Sequence, residues 1–292
     1  MKKNIKTRIA NAFIYGLMLL SSFICLFPFI YVFNNSISDP VYVIGRQIYF
    51  IPRGVNLDAY EVIFRSPSLY VSYGNTILYT VIGTLLGTIV TLMCAYPLSR
   101  PRLMGKRFLT IFFLITMYFS GGTIPIYLNV KEFGMLDSMW SLIIPGLIST
   151  FNVIILKNFF SSLPYELVEA ASIDGATDFQ VLTRIFLPLS FSSLATLSLF
   201  YAVGKWNSFN DALYYITSRE LQPLQLKLYN LIKGSQSVEV AVAEGSSNDL
   251  STSVSESIQS ATIIFATLPI LIVYPFVQRY FVAGVTMGAV KG

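Results

Sequence analysis

Four small residues surround a predicted turn in the second half of the chain: Ala170, Ala171, Gly175 and Ala176. Small side chains allow the backbone of another protein to approach closely. The same segment contains two acidic residues, Glu169 and Asp174. This combination of residue types predicts a tight contact with a partner protein.

Catalytic chemistry is poorly supported by the rest of the chain. There is no histidine, which excludes Ser/His/Asp hydrolysis, Cys/His nucleophiles and zinc sites that use histidine. Cys25 and Cys94 lie in apolar stretches, where cysteine behaves as a small hydrophobic residue. We find no nucleophile and base pair for a membrane enzyme, and we predict neither catalytic residues nor a metal site.

Binding of ATP through a phosphate-binding loop is also excluded. That loop requires the pattern G-x-x-x-x-G-K-[ST]. The pair Gly204 and Lys205 is followed by Trp206 and is not preceded by the required glycine. If the chain moves a solute uphill, the energy must therefore come from another subunit.

Two short helices are predicted around the small-residue turn. A proline suited to the first helical position and acidic residues in the first turns predict a helix over about 164–173, which stops before Gly175. Thr177 and Gln180 form a capping box. They open a second helix that ends near Pro188.

Composition places these helices in a membrane protein. Hydrophobic residues make up 54% of the 292 residues, charged residues only 12%, and the mean hydropathy is +0.64. Apolar runs long enough to cross a bilayer occur six times. We predict a single membrane domain over residues 1–292, with spans at about 10–33, 70–96, 108–129, 138–158, 186–205 and 258–279.

The distribution of charge predicts the orientation. With the N-terminus inside, 12 of the 20 basic residues but only four of the 15 acidic residues lie on the cytoplasmic side. Both termini are then cytoplasmic, as is a loop at about 160–188, and a loop at about 206–257 is external. Its polar part, residues 234–257, has the composition of a flexible loop. The net charge of +5 is explained by this bias, and no basic stripe indicates nucleic acid.

Ion-coupled transport is disfavoured because all fifteen acidic residues fall outside the apolar runs. An ion-coupled secondary carrier of a small polar solute nevertheless remains the alternative function. A membrane scaffold without transport activity is a further alternative.

The inner loop resembles the EAA loop of ABC importer permeases. The residues that carry the resemblance are Glu169-Ala170-Ala171, then Asp174-Gly175-Ala176, then Ile185 to Pro188. The resemblance implies an all-α, polytopic membrane protein with six transmembrane helices and the type I ABC importer permease fold. It also implies that the segment from Glu169 to Gly175 docks as a coupling helix on a cytoplasmic ATPase, where Glu169 would meet a basic group.

Further segments are similar to maltose-transporter-type permeases, particularly to the lipo-oligosaccharide and rhamnogalacturonan permease branch. They include Trp206-Asn207, the segment 223–225 and the C-terminal residues 278–292. This similarity implies import of a carbohydrate, more specifically an oligosaccharide, across the bacterial plasma membrane. The partners implied are a homologous second permease, two ATPase subunits that bind ATP and Mg, and an extracellular solute-binding protein. The chain itself would hold no cofactor.

The C-terminal tail has a role in the same family. The resemblance implies that Gly288, Lys291 and Gly292 reach the ATPase subunits. A basic tail that only anchors the chain on the cytoplasmic side is the alternative.

Candidate substrate residues are predicted near the outer face and within the spans. Trp206, Asn207, Tyr214 and Tyr215 could contact a sugar or the solute-binding protein, or belong to the aromatic belt at the membrane surface. Asn75 and Asn152, within spans two and four, could bind sugar hydroxyls or join neighbouring helices.

Overall fold

The computed structural model describes residues 5–243 and 256–275, with side chains at 11–233 and 256–275. Helices dominate, and the described residues contain no β-strand beyond one isolated bridge between Ser38 and Val55. The predicted all-α class is confirmed in this part of the chain. The helices are α1 (Ile5–Ser36), α2 (Pro40–Ile44), α3 (Asp58–Phe64), α4 (Pro67–Ser99), α5 (Lys106–Tyr118), α6 (Thr123–Glu132), α7 (Met139–Ile143), α8 (Thr150–Ser162), α9 (Glu166–Ile173), α10 (Asp178–Val181), a π-helical turn (Leu182–Phe186), α11 (Leu187–Leu189), α12 (Phe191–Trp206), α13 (Asn210–Tyr215), a 3₁₀ turn (Arg219–Leu221), α14 (Leu224–Ala243) and α15 (Glu256–Pro275).

Three of these helices are long and apolar enough to cross a membrane: α4, α15 and residues 11–36 of α1. Two bent pairs, α5 with α6 and Asp178–Leu189 with α12, pass the same test together, which raises the total within the described ranges to five. The predicted fourth span, 138–158, is divided between α7 and α8. By length and composition alone, the described residues therefore contain three to five candidate membrane spans, and the predicted count of six spans is not reproduced.

The third and fifth predicted spans are bent, which the sequence pattern did not predict. The axes of α5 and α6 differ by 111°, and the break contains Gly122, whose φ of +87° favours glycine. The fifth span bends by 83° at Ser190. Pro188 lies just before that bend and provides no backbone N–H, and the π-helical turn beside it accommodates the irregularity.

The predicted external loop also needs a correction. Residues 234–243 belong to α14 and are helical, although their polar composition predicts a flexible loop. The remainder of the polar tract up to residue 255 lies outside the described residues. So do Gly288, Lys291 and Gly292 of the predicted tail contact.

The chain divides into two compact units. The terminal unit comprises Met1–Leu69 with Leu228–Leu268, and the central unit comprises Tyr70–Lys227 with Pro269–Gly292. In the terminal unit α1 exposes most of its large apolar side chains, as expected for a helix that faces lipid. The central unit contains the predicted partner loop and all six of the predicted substrate residues.

A hydrophobic core in the central unit joins α4, α8, α9, the π-helical turn and α12. Aromatic rings form its middle. The Phe186 ring centroid lies 5.3 Å from that of Tyr96 and 5.2 Å from that of Phe160, both nearly edge to face. Val168 is the side chain by which α9 enters this core, and it is only 4% exposed.

Candidate functional site

The predicted partner loop has the local structure that its sequence indicates. Helix α9 ends in a left-handed Gly175 with φ +77°. The Ala176 N–H donates to Ala171 O at 2.9 Å and the Gly175 N–H donates to Ser172 O at 3.1 Å, which is the Schellman pattern of a helix end. The predicted stop at this glycine is confirmed.

The predicted capping box is also confirmed. The Gln180 N–H donates to Thr177 Oγ1 at 3.3 Å, and the Thr177 N–H donates to Gln180 Oε1 at 2.8 Å. Two backbone donors at the start of α10 are satisfied in this way. The second helix runs through the π-helical turn and α11 to Leu189, so it ends near Pro188 as predicted.

One side of the loop is anchored and the other is exposed. Val168 is buried in the core, whereas Ile173 is 86% exposed and Phe179 is 72% exposed. Glu169, Ala170, Asp174 and Gly175 are exposed as well, Ala171 and Ala176 are half-buried, and Pro188 is exposed at the bend before α12. Large apolar side chains beside an exposed carboxylate are typical of a protein contact surface.

A cavity of about 840 Å³ separates this loop from the end of α4. Arg100 lies beside it, with its guanidinium 5.0 Å from the Tyr96 ring centroid and 5.4 Å from that of Phe186. The same guanidinium is 3.4 Å from Asp178 Oδ1. Because the Asp178 side chain is 84% exposed, this ion pair contributes little stability.

Two smaller cavities lie elsewhere in the central unit and have Gly146 and Asp211 in common. The first, which we call the lysine cavity, has a volume of about 420 Å³; its wall includes Ser149, Asn152, Tyr201, Lys205, Ser208 and Asp211. The second, the tyrosine cavity, has a volume of about 430 Å³; its wall includes Ser120, Thr123, Asn210, Asp211, Tyr214 and Tyr215. Amide, hydroxyl and aromatic groups of this kind are suited to binding sugars.

The predicted substrate residues are separated by the structure. Asn152 lines the lysine cavity, and Tyr214 and Tyr215 line the tyrosine cavity. Asn75 instead donates to the backbone oxygens of Glu220 at 2.6 Å and Gln222 at 3.3 Å. It therefore joins α4 to the segment that precedes α14.

Trp206 and Asn207 do not line either of these two cavities. The Trp206 ring packs edge-on against Tyr73, with centroids 5.9 Å apart, and borders an apolar groove. The Asn207 side chain donates to Val203 O at 2.9 Å. Of the six candidates, Asn152 thus lines the lysine cavity, the two tyrosines line the tyrosine cavity, and the other three line neither.

Sequence reasoning missed Tyr201, which joins three helices. Its hydroxyl lies 2.7 Å from Thr91 Oγ1 of α4 and accepts a hydrogen bond of 2.9 Å from the Ser149 N–H at the start of α8. Its ring packs against Gly87 of α4, where a Cβ atom would lie 3.0 Å from the ring. Gly83 and Gly87 form a G-x-x-x-G pattern, and this pattern could have indicated a close helix contact.

Sequence reasoning also missed Lys205. Its ammonium donates to Leu142 O at 2.6 Å and Ile143 O at 3.3 Å, at the end of α7. A lysine at the end of an apolar run could have indicated a functional residue. A charge in a membrane-spanning segment is energetically costly, and such charges are typically retained because they have a function.

Asp137 holds the segment after α13. Its carboxylate accepts from the backbone N–H groups of Thr217 at 2.9 Å and Ser218 at 2.8 Å, and from the Ser218 hydroxyl. These hydrogen bonds, chiefly those from Ser218, hold the pKa of Asp137 below its ordinary value of 3.8. The carboxylate form therefore keeps this segment in place.

We expect acid to release this segment. A lowered folded-state pKa means that the contribution of Asp137 is complete above about pH 3.8 and is lost as the pH falls from there through the folded-state pKa. Hydrogen exchange at Thr217 and Ser218, corrected for intrinsic pH dependence, should accelerate across that window. In Asp137→Asn the two amides should exchange faster already at neutral pH and show no acid step. An acid step of wild-type size in this variant would contradict the assignment.

Comparisons with known proteins identify similar membrane transport proteins. Residues 1–287 match the family described as "Binding-protein-dependent transport system inner membrane component". The chain is 40% identical over 287 residues to the polygalacturonan/rhamnogalacturonan transport system permease protein YtcP of Bacillus subtilis, covering 98% of this chain and 100% of that protein. It is 41% identical over 269 residues to protein LplC of the same organism, covering 92% of this chain and 90% of that protein.

A solved structure is also similar over nearly the whole chain. It is a crystal structure of a bacterial ABC transporter involved in the import of the acidic polysaccharide alginate. A chain of that transporter matches with a TM-score of 0.85 and 31% identity, covering 96% of this chain and 99% of that one. The predicted helical permease fold and the resemblance to carbohydrate importer permeases are thereby confirmed.

Proposed function

Because the chain belongs to the family of binding-protein-dependent transport system inner membrane components, we propose that it forms part of the path by which an ATP-driven importer passes an oligosaccharide across the bacterial plasma membrane. It is a multi-pass membrane permease subunit, and ATP hydrolysis is the task of separate subunits. The full-length similarity to a permease named for polygalacturonan and rhamnogalacturonan transport supports a carbohydrate substrate.

The exposure of the loop around Gly175 is the observation that supports a role in coupling ATP hydrolysis to transport. Its tip presents Ile173 and Phe179 beside Glu169, and α9 is held in the core by Val168. Helix α10 continues through the π-helical turn and α11 to α12, which carries Tyr201 and Lys205. A partner that moves the loop can therefore displace the helix that lines the lysine cavity.

The proposed partners follow from this arrangement. Two ATPase subunits hold ATP and Mg, one of them docks on the loop from the cytoplasm, and a homologous second permease completes the path. An extracellular solute-binding protein delivers the sugar to the outer face. Both termini are cytoplasmic in this arrangement, and Gly288, Lys291 and Gly292 approach the ATPase subunits.

Reconstitution tests the proposal. The chain, a partner permease and the ATPase are placed in proteoliposomes with the solute-binding protein. Uptake is then measured for a panel of labelled oligosaccharides, both neutral and acidic. We expect uptake of at least one of them that requires ATP, the ATPase and the binding protein. Uptake by this chain alone, driven by an ion gradient and indifferent to removal of the ATPase, would instead establish the secondary carrier.

A further inference from the structure

The lysine cavity contains an ammonium group in a fixed position. The Lys205 stem crosses α4 at Gly83, where a Cβ atom would lie 3.1 to 3.2 Å from Cγ, Cδ and Cε of the lysine. A Cβ atom at Gly146 would lie 3.2 Å from the Lys205 Nζ atom. Both glycines therefore leave the room that the extended lysine occupies, and the two carbonyl groups of α7 hold its end.

No carboxylate lies within 4.0 Å of this ammonium among the described residues. Asp211 lines the same cavity and attracts the ammonium from a longer distance. Lys205 is half-buried, so its charge is only partly solvated. An anionic ligand in direct contact would compensate this charge more fully than the distant carboxylate does.

The ammonium also retains a donor for a ligand. A lysine ammonium has three N–H groups, and the two carbonyl oxygens of Leu142 and Ile143 accept from two of them. The third can bind an oxygen atom in the cavity. Charge-assisted hydrogen bonds of this kind are the strong ones.

A second, independent group points to a ligand. Asn152 is only 3% exposed and lines the cavity. No hydrogen bond to its carboxamide occurs in the part of the chain that the structure describes; the bond of 3.4 Å from Asn152 to Ser149 Oγ is donated by the backbone N–H. Buried amides normally have partners, so this carboxamide is available to the hydroxyls of a bound sugar.

We infer that the lysine cavity binds a carboxylate-bearing sugar unit of the transported oligosaccharide, with the Lys205 ammonium on the carboxylate and the Asn152 carboxamide on ring hydroxyls. The inference rests on the proposed function and specifies its substrate class as acidic oligosaccharides. Asp211 lies in the wall of the same cavity and accepts hydrogen bonds from sugar hydroxyls, while its charge keeps the carboxylate of the ligand toward Lys205.

Uptake of trigalacturonate and of its methyl ester by the complete reconstituted transporter tests this inference. In Lys205→Met we expect trigalacturonate uptake to fall at least about tenfold, the loss typical of one hydrogen bond to a charged group. Uptake of the uncharged ester should change less than about twofold. Lys131→Met is the matched control, since Lys131 is exposed in the last turn of α6 and lies outside the cavity.

Lys205→Arg separates loss of charge from loss of folding. It should import trigalacturonate at least about threefold faster than Lys205→Met at equal recovery of the assembled complex, because it keeps a cationic donor. Equal loss of both probes in Lys205→Met, an arginine variant no better than the methionine variant, or wild-type uptake restricted to uncharged oligosaccharides would overturn the inference. In the last case the proposed function stands. Absence of ATP-driven uptake of any oligosaccharide would refute the proposed function itself.

Discussion

Replacing Gly175 with tryptophan is expected to lower ATP-driven oligosaccharide uptake at least about tenfold, with the chain still inserted in the membrane. Two effects add. At φ +77° any side chain is strained, by about 1–2 kcal/mol. The indole would also project from the exposed tip of the coupling loop and block the approach of an ATPase. The measurements are uptake in proteoliposomes, copurification of the ATPase, and ATP hydrolysis stimulated by the solute-binding protein.

The chain offers a matched control for this variant. Gly134 also has a positive φ, +66°, and no atom lies within 4 Å of a Cβ placed there. It follows α6, far along the chain from the coupling loop, so Gly134→Trp introduces similar strain and bulk at another site. Copurification of the ATPase should stay near wild type in the control, and this is the readout to compare, because Gly134 lies between two predicted spans on the outer face, where the solute-binding protein is proposed to act. Equal losses in both variants would attribute the effect to strain and would remove the support for docking at Gly175.

Charge reversal at Glu169 supplies an independent check on the same docking. Glu169→Lys should weaken recovery of the ATPase because Glu169 is exposed on the loop that we propose as the docking site, where it would meet a basic group. Glu166→Lys changes the same charge one turn earlier in α9, also at an exposed position. A larger effect at Glu166 than at Glu169 would contradict the proposed contact.

Replacing Gly87 with leucine is expected to lower the free energy of unfolding by about 3 kcal/mol, combining overpacking with the loss of hydrogen bonds. A Cβ atom at this position already lies 3.0 Å from the Tyr201 ring. The larger side chain would separate α4 from α12. The Tyr201 hydroxyl would then lose its contacts with Thr91 and with the Ser149 N–H. Thermal unfolding of the purified complex in one detergent provides the measurement.

Gly74 is the control for this packing prediction. It lies on the same helix, and nothing lies within 4 Å of a Cβ atom placed there. Gly74→Leu should therefore leave the unfolding midpoint near that of wild type, or raise it slightly because leucine favours helix. Similar destabilisation by the two variants would show that close packing of α4 on α12 at Gly87 is not important for stability.

Local signals in the sequence account for the structure of the predicted partner loop. The capping box at Thr177 and Gln180 and the left-handed Gly175 depend on residues a few positions apart. For this reason the loop could be located without knowledge of the rest of the fold. The helical class was equally predictable, since apolar runs of spanning length leave the backbone no partners except its own.

The bends of the predicted spans were not predictable from hydrophobicity. A bend changes neither the length nor the composition of an apolar run, so the run containing Gly122 reads as one straight span. The polar composition of residues 234–243 was misleading for a related reason: a polar segment can remain helical when it continues a helix that has already begun.

The amino-acid sequence by itself determined that this chain is a helical membrane protein, and it located the two capped helices around Gly175, because composition and capping act through neighbouring residues. Only the tertiary structure decided which polar residues meet. Asn75 and Asn152 look alike in the sequence, yet Asn75 binds the backbone at positions 220 and 222 and Asn152 lines the lysine cavity. Lys205 acquires its place through carbonyl groups more than sixty residues away. Such contacts depend on how helices distant in sequence pack together, which no local pattern specifies.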